Sequence, residues 1–416
     1  MIETDDDITS GSATAGALFV GEDDLGRRLL TSDVAAVAQG FRDAGYACIV
    51  VADSHDRALD HDRLARLGLR VIRPEASREW RWPFFGVAGP EFKIAALVGF
   101  HARAGARGFR PHTVNDYVRR VTINGVETGE VGIAVLGLSA LGMSPVLVVG
   151  DEGAVADARD IAPRVRAVAV RWHDETGAAR FLSEADAARV LRNAAREAAA
   201  QPAPAPAWNR PLRLTVTANR ARAAQGAAHG ATAKLAKWRE QHGKDAGDER
   251  FAPAVRDGAV TWMAADARAA YLAVVAVAAS LRPPHRDEAW NLVSRGLAAY
   301  QAGRHDEALA AYRKALELDH ADAETRCRIG NVHLARAALA DALMQFDEGL
   351  RHLEEMSPPM RTVCLLGHAR ALALSGRAAD AAASYRRVLQ LPDHQSSHAK
   401  AREALVAGGG APGPAR

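Results

Sequence analysis

From residue 285 onward the chain repeats itself every 34 residues, and no other feature restricts its fold so tightly. Gly296, Gly303, Ala308, Tyr312 and Ala315 recur as Gly330, Ala337, Ala342, Phe346 and Gly349. A looser third copy, Ala369, Gly376, Ala381, Tyr385 and Val388, follows a five-residue expansion that contains Ser357-Pro-Pro359. A period of this length holds two helices and a turn. Its small residues let the paired helices approach, and its aromatic residue packs into the next unit. Such a unit buries its apolar face only by stacking on a neighbour, and three copies are the usual minimum for a stable stack. An all-α repeat domain is therefore expected over residues 285–405, with a disordered tail over 406–416, where glycine and proline replace the helical pattern.

Upstream of Arg282-Pro-Pro284 the texture is different, because helical and strand periods alternate. A helix is expected over 34–44, strands over 47–51, 69–72 and 95–100, and helices over 154–161 and 185–199 on either side of a strand over 165–170. Strands separated by helices imply an α/β fold, a three-layer domain with a largely parallel sheet covered on both faces. Ligand-handling groups in such folds gather at the carboxyl ends of the strands. The uncharged run 131–150 has the length of a membrane span, but it holds four glycines and Ser144-Pro145, which favours a helix, a turn and a buried strand. Gln201-Pro-Ala-Pro-Ala-Pro-Ala207 is stiff and extended, so a boundary falls there. Strands over 212–217 and 259–263 and a helix over 267–281 then form a smaller α/β subdomain, while 218–256 carries no assignment. The expected domains are thus 1–200, 201–282 and 285–405.

Charge and cysteine content narrow the classes of function. Fifty-three Lys and Arg against 50 Asp and Glu leave +3 over 416 residues, too little to argue for a nucleic-acid or membrane surface. Cys48, Cys327 and Cys364 sit in apolar segments without metal-binding spacing, so three buried free thiols in a reducing cytoplasm are expected. The acidic N-terminus lacks the pattern of a secretory signal. No nucleophile elbow and no phosphate-cradling glycine loop is present, which moves serine hydrolases and nucleotide enzymes out of the front rank.

Histidines at strand ends point to chemistry instead. Asp53-Ser54-His55 follows one expected strand, Gly99-Phe-His101-Ala-Arg103 follows another, and Pro111-His112-Thr113 and Gly129-Glu130 come after them. Imidazole and carboxylate groups converging from strand ends are what a hydrolytic zinc site needs. Asp53 can orient His55 or simply cap the strand end, and Arg103 can receive a substrate carboxylate or make a surface ion pair.

Those stretches together resemble the zinc-dependent D-aminopeptidase family, over about residues 1–281, and Gly303-Arg-His-Asp-Glu-Ala308-Leu-Ala-Ala-Tyr312 resembles the tetratricopeptide repeat. In that peptidase family two zinc ions are held by an Asp-x-Glu pair on the first strand, a histidine in Asn-Asp-Ser-His, a histidine in Gly-Tyr-His-Ala and a glutamate in Gly-Glu. The resemblance therefore implies His55, His101 and Glu130 as metal ligands and His112 as the catalytic histidine. It also matches Gly150-Asp151 as a structural loop after a buried strand. On the first strand the best placement is Asp5-Asp6-Asp7, where Asp5 would bridge the metals and Asp7 would stand for the glutamate. The other reading of that stretch is a solvated acidic N-terminus. The resemblance further implies short peptides with an N-terminal D-residue as substrates and a ring-shaped homo-oligomer, while the repeats imply a protein or peptide partner. Two other functions stay open: an interaction scaffold whose peptidase domain is metal-poor, and a metal-dependent amidase with a different substrate class.

Overall fold

The computed structural model describes residues 2–4, 24–53, 59–72, 92–109, 111–115, 117–202, 204–221, 223–242, 251–282, 285–319, 322–391 and 397–407. It divides into two compact units, Met1–Leu281 and Arg282–Arg416.

The first unit is built on a seven-stranded sheet with the order β3-β2-β1-β4-β7-β8-β9. Its strands are β1 (Ile2–Thr4), β2 (Val50–Asp53), β3 (Arg70–Ile72), β4 (Ile94–Phe100), β7 (Ser144–Asp151), β8 (Arg166–His173) and β9 (Ala179–Phe181). All neighbours are parallel except β9, which runs antiparallel to β8. β4 is buried along its whole length, and its side chains alternate between two cores. Ile94, Ala96 and Val98 pack with α1 (Asp24–Asp43) and α5 (Glu184–Ala200). Ala95 and Leu97 pack with α3 (Glu130–Ala140) and α4 (Glu152–Ile161) on the other side. The three-layer expectation holds.

The same second core is shared with a five-stranded sheet, order β11-β12-β10-β5-β6, in which every neighbouring pair is antiparallel. It draws β5 (Val118–Ile123) and β6 (Val126–Thr128) from before the proline-rich segment, and β10 (Leu212–Ala218), β11 (Ala254–Arg256) and β12 (Ala259–Ala264) from after it. The segment left unassigned in the sequence supplies β11 and α6 (Ala223–His242), and α7 (Ala267–Leu281) matches its expected span. α3 is buried on all sides from Glu130 to Leu138, which explains why its sequence carries no polar face. No helix among the described residues is long and apolar enough to cross a membrane.

In the second unit, α8 (Arg286–Gln301) pairs with α9 (His305–Leu318), α10 (Ala323–Ala335) with α11 (Leu339–Leu350), and α12 (Pro358–Leu374) with α13 (Ala378–Val388), before α14 (Ser397–Val406). The repeated glycines sit under the repeated aromatics. A methyl group on Gly296 would lie 2.5 Å from the Tyr312 ring, and one on Gly330 would lie 2.8 Å from Phe346. Residues 408–416 of the expected tail lie outside the described residues.

The cysteine expectation fails twice. Cys327 on α10 and Cys364 on α12 are both fully buried and bonded to each other, 37 residues apart in sequence. Stacking of successive repeats brings them together, and sequence spacing alone cannot show that. Cys48 is exposed, because β2 starts at Val50 rather than 47 and leaves residue 48 in the preceding loop. The thiol argument for a reducing compartment therefore falls.

Candidate metal centre

Parallel strands deliver their following residues to one edge, so the chain leaves β1 at Thr4, β2 at Asp53 and β4 at Phe100 on the same side of the sheet. His101 follows β4 directly and is buried. Its Nδ1 lies 2.9 Å from the Ala102 carbonyl oxygen, which can only accept, so Nδ1 donates and the neutral ring carries its lone pair on Nε2. Nε2 stands 3.5 Å from Glu130 Oε1.

Glu130 is the first residue of α3, where the helix dipole favours a carboxylate. Burial alone would raise its carboxyl. When the imidazoles carry a second proton, the His101 charge and hydrogen bond, the His112 charge and the Val114 N–H overcome that and hold it well below the usual carboxylate range; a metal cation in place of those protons would act in the same direction. The Val114 N–H donates to Oε1 at 2.6 Å, and Val114 takes a left-handed backbone, φ 63°, to aim it. A β-branched residue there is strained and persists only when its surroundings fix it.

His112 completes the cluster. Its ring stacks on His101 with centroids 4.1 Å apart, and its Nε2 lies 3.8 Å from Glu130 Oε1. Its backbone N–H donates to the same Ala102 carbonyl oxygen, and Thr113 Oγ1 accepts from the Ala104 N–H, so the loop is pinned back onto the residues after β4. With its side chain 26% exposed, against 1% for His101, His112 is the member a substrate can reach.

Ligand atoms of His101, His112 and Glu130 all lie within 4.8 Å of one another. Two acceptors converging in a buried place, the His101 lone pair and the Glu130 carboxylate, call for a cation between them, and this nitrogen and oxygen donor set suits zinc. The structure thus brings together three of the residues singled out by sequence. Asp5, Asp7 and His55 lie outside the described residues.

Other side chains depart in part from the roles weighed in the sequence. The Asp53 carboxylate is fully buried and its Oδ2 meets His61 Nε2 at 2.6 Å, a partner eight residues on that the sequence reading missed. Arg103 makes ion pairs, the second of the two alternatives weighed for it, though one of its partners is buried. Its Nη1 donates to Oδ1 of the buried Asp157 at 2.5 Å, and its Nε faces Glu127. Asp151 caps α4 through the Ala154 N–H and also accepts from the N–H groups of Ala102 and Phe109, clamping the loop after His101. Asp157 was detectable as a carboxylate placed among Ala154, Ala158 and Ile161 on the buried face of its helix.

Comparison with known proteins agrees with this geometry. The family model for D-aminopeptidase matches residues 19–240, more than half of the chain. The chain belongs to the D-aminopeptidase family. A model for the TPR repeat matches residues 296–335. A D-aminopeptidase of Bacillus subtilis (strain 168) is 30% identical over 172 residues, 40% of this chain and 60% of that protein, so the chain spans about 60% of the length of this curated relative. The solved structure described as "Zn-dependent D-aminopeptidase DppA from Bacillus subtilis, a self-compartmentalizing protease" superposes with a TM-score of 0.52 and 19% identity, covering 68% of this chain and 98% of that one. That likeness shows a shared fold.

Proposed function

We propose that this D-aminopeptidase family member is a zinc-dependent aminopeptidase that removes an N-terminal D-residue, D-alanine among them, from short peptides. The observation that carries this reading is the buried convergence of the His101 Nε2 lone pair on the Glu130 carboxylate, with His112 stacked beside them. His101 and Glu130 would hold the metal. By the family resemblance, His55 and the Asp5–Asp7 stretch, which follow β2 and β1 in sequence, would complete a two-ion site. When bound, the metal supplies Lewis-acid polarisation of the scissile carbonyl and a water acidified toward neutral pH.

The chain's own residues do the remaining work. Ala102 O fixes the His101 tautomer, and the Val114 N–H holds Glu130 Oε1. His112, partly exposed, carries the proton to the leaving amine, a role that imidazole commonly serves in general acid–base catalysis. Its closeness to His101 and Glu130 favours a second role as a ligand. By likeness to the self-compartmentalizing relative we infer a ring-shaped homo-oligomer, and the repeat unit would receive a protein or peptide partner.

Hydrolysis of D-Ala-D-Ala, D-Ala-Gly and L-Ala-Gly by zinc-loaded protein tests the reading. Cleavage of the first two and not the third is expected. His112→Ala should abolish cleavage and keep the zinc content if His112 is the proton carrier, and should lower the zinc content if it is a ligand. Zinc-loaded protein that cleaves none of these peptides would refute the peptidase assignment.

A further inference from the structure

Asp157 is fully buried on α4, 28 residues from Gly129 and 54 from Arg103 in sequence, yet it touches both segments that carry the described ligands His101 and Glu130. Its Oδ2 accepts the Gly129 N–H at 2.8 Å, immediately before Glu130. Its Oδ1 takes Arg103 Nη1, two residues beyond His101. The three groups are packed without spare room, since a methyl on Gly129 would lie 2.6 Å from Arg103 Cβ and 2.9 Å from Asp157 Oδ2. The same helix is capped by Asp151, whose carboxylate holds the Ala102 and Phe109 amides. α4 is therefore a platform whose two carboxylates grip the His101 loop and the start of α3.

We propose that Asp157 is a positioning residue that sets the spacing between His101 and Glu130 by bonding Arg103 and Gly129 at once. This inference rests on the metal reading of the site. A carboxylate paired only for stability would be replaceable by any charge-balanced, well-packed alternative, because the cost of breaking a buried pair lies mostly in the uncompensated charge left behind. A positioning carboxylate is not replaceable in that way. Groups that orient metal ligands without touching the metal typically change metal affinity by about 10- to 100-fold when removed.

The test uses the full-length chain stripped with a chelator, a competing chromophoric chelator to read zinc affinity, and thermal melting of the zinc-free protein. Asp157→Asn and Arg103→Met should each weaken zinc binding by roughly 10- to 100-fold, and Arg103→Met, which leaves the buried Asp157 carboxylate uncompensated, should lower the melting temperature. The double variant Asp157→Asn/Arg103→Met, which leaves no unpaired charge, should regain most of the melting temperature and none of the zinc affinity. Arg103→Lys, which keeps the positive charge opposite Asp157, should bind zinc nearly as tightly as wild type, and it carries the comparison should Asp157→Asn fail to fold. A double variant that binds zinc like wild type overturns the role of Asp157 alone, as does an Arg103→Lys variant as weak as Arg103→Met. Wild-type protein that takes up no zinc overturns the metal reading and this inference with it.

Discussion

Ala337→Gly should stabilise the repeat unit, and the three repeats contain their own control. Each first helix ends in the same motif: the N–H groups of Gly303, Ala337 and Gly376 donate to the carbonyls of Tyr300, Leu334 and Ala373. The next N–H groups, of Arg304, Ala338 and Arg377, reach back to Ala299, His333 and Leu372. This is the Schellman geometry, which places the residue after the helix cap in the left-handed region. φ is 73° at Gly303, 58° at Ala337 and 78° at Gly376. Only the middle repeat meets that demand with a side chain, at about 1–2 kcal/mol for a non-glycine residue. Ala337 is exposed, so its methyl contributes little burial. Glycine gives back about 0.4–1 kcal/mol through the freer unfolded chain, which leaves a net gain of about 0.5–1 kcal/mol. Hydrogen exchange in peptides covering α10 and α11 of the full-length protein should slow by roughly two- to fivefold, since about 1.4 kcal/mol corresponds to tenfold. Gly303→Ala, where a methyl meets nothing within 4 Å, should speed exchange across α8 and α9 by a similar factor. Unchanged or faster exchange in Ala337→Gly, or a neutral Gly303→Ala, would refute the assignment of strain to this position.

Three further outcomes follow from the same geometry. Gly150→Ala would place a methyl 2.0 Å from the Phe100 carbonyl oxygen and 2.8 Å from Ala154 Cβ. It should cost about 1–3 kcal/mol and, by shifting the end of β4, weaken zinc binding; a melting temperature equal to wild type would show that the strand pair can part there. Burial lifts the Asp157 carboxyl from 3.8 to about 6 against the pull of Arg103. A carboxyl raised in the folded state contributes stability that is complete below its unfolded value near 3.8 and lost as pH rises through about 6. Relative to Asp157→Asn, zinc-free wild type should therefore lose up to about 3 kcal/mol across that window, and urea denaturation showing the difference growing instead would contradict it. Reducing the Cys327–Cys364 bond, or replacing both residues by alanine, opens a loop of 37 residues and should cost the repeat unit about 4 kcal/mol on the chain-entropy account. Limited proteolysis with and without reductant reads this, and identical cleavage in both would mean that the thiols are not paired.

The sheet that positions the site was legible because parallel strands buried on both faces read as unbroken apolar runs, as in Ile94–Phe100. α6 was not, since Ala223–His242 is rich in alanine and glycine and offers little contrast between its faces. The β5–β6 hairpin did leave a signal that the reading passed over: Asn124-Gly125 has φ of 52° and 85°, the pair of positive angles that a tight hairpin turn requires. In the site, His101, His112 and Glu130 stood out through motif and setting. Their supports did not, because Asp157 reaches Arg103 across 54 residues and the Val114 amide reaches Glu130 through backbone rather than side-chain chemistry. The Cys327–Cys364 bond was hidden for the same reason, being a product of repeat stacking.

The most direct test of the central claim is the zinc content of the purified full-length protein, measured by elemental analysis against protein concentration, with His101→Ala and Glu130→Ala alongside. The account predicts two zinc ions per wild-type chain and a loss of zinc in both variants. A folded wild-type protein with no zinc, or variants that hold as much zinc as wild type, would contradict it and favour a chain in which the repeats alone do the work.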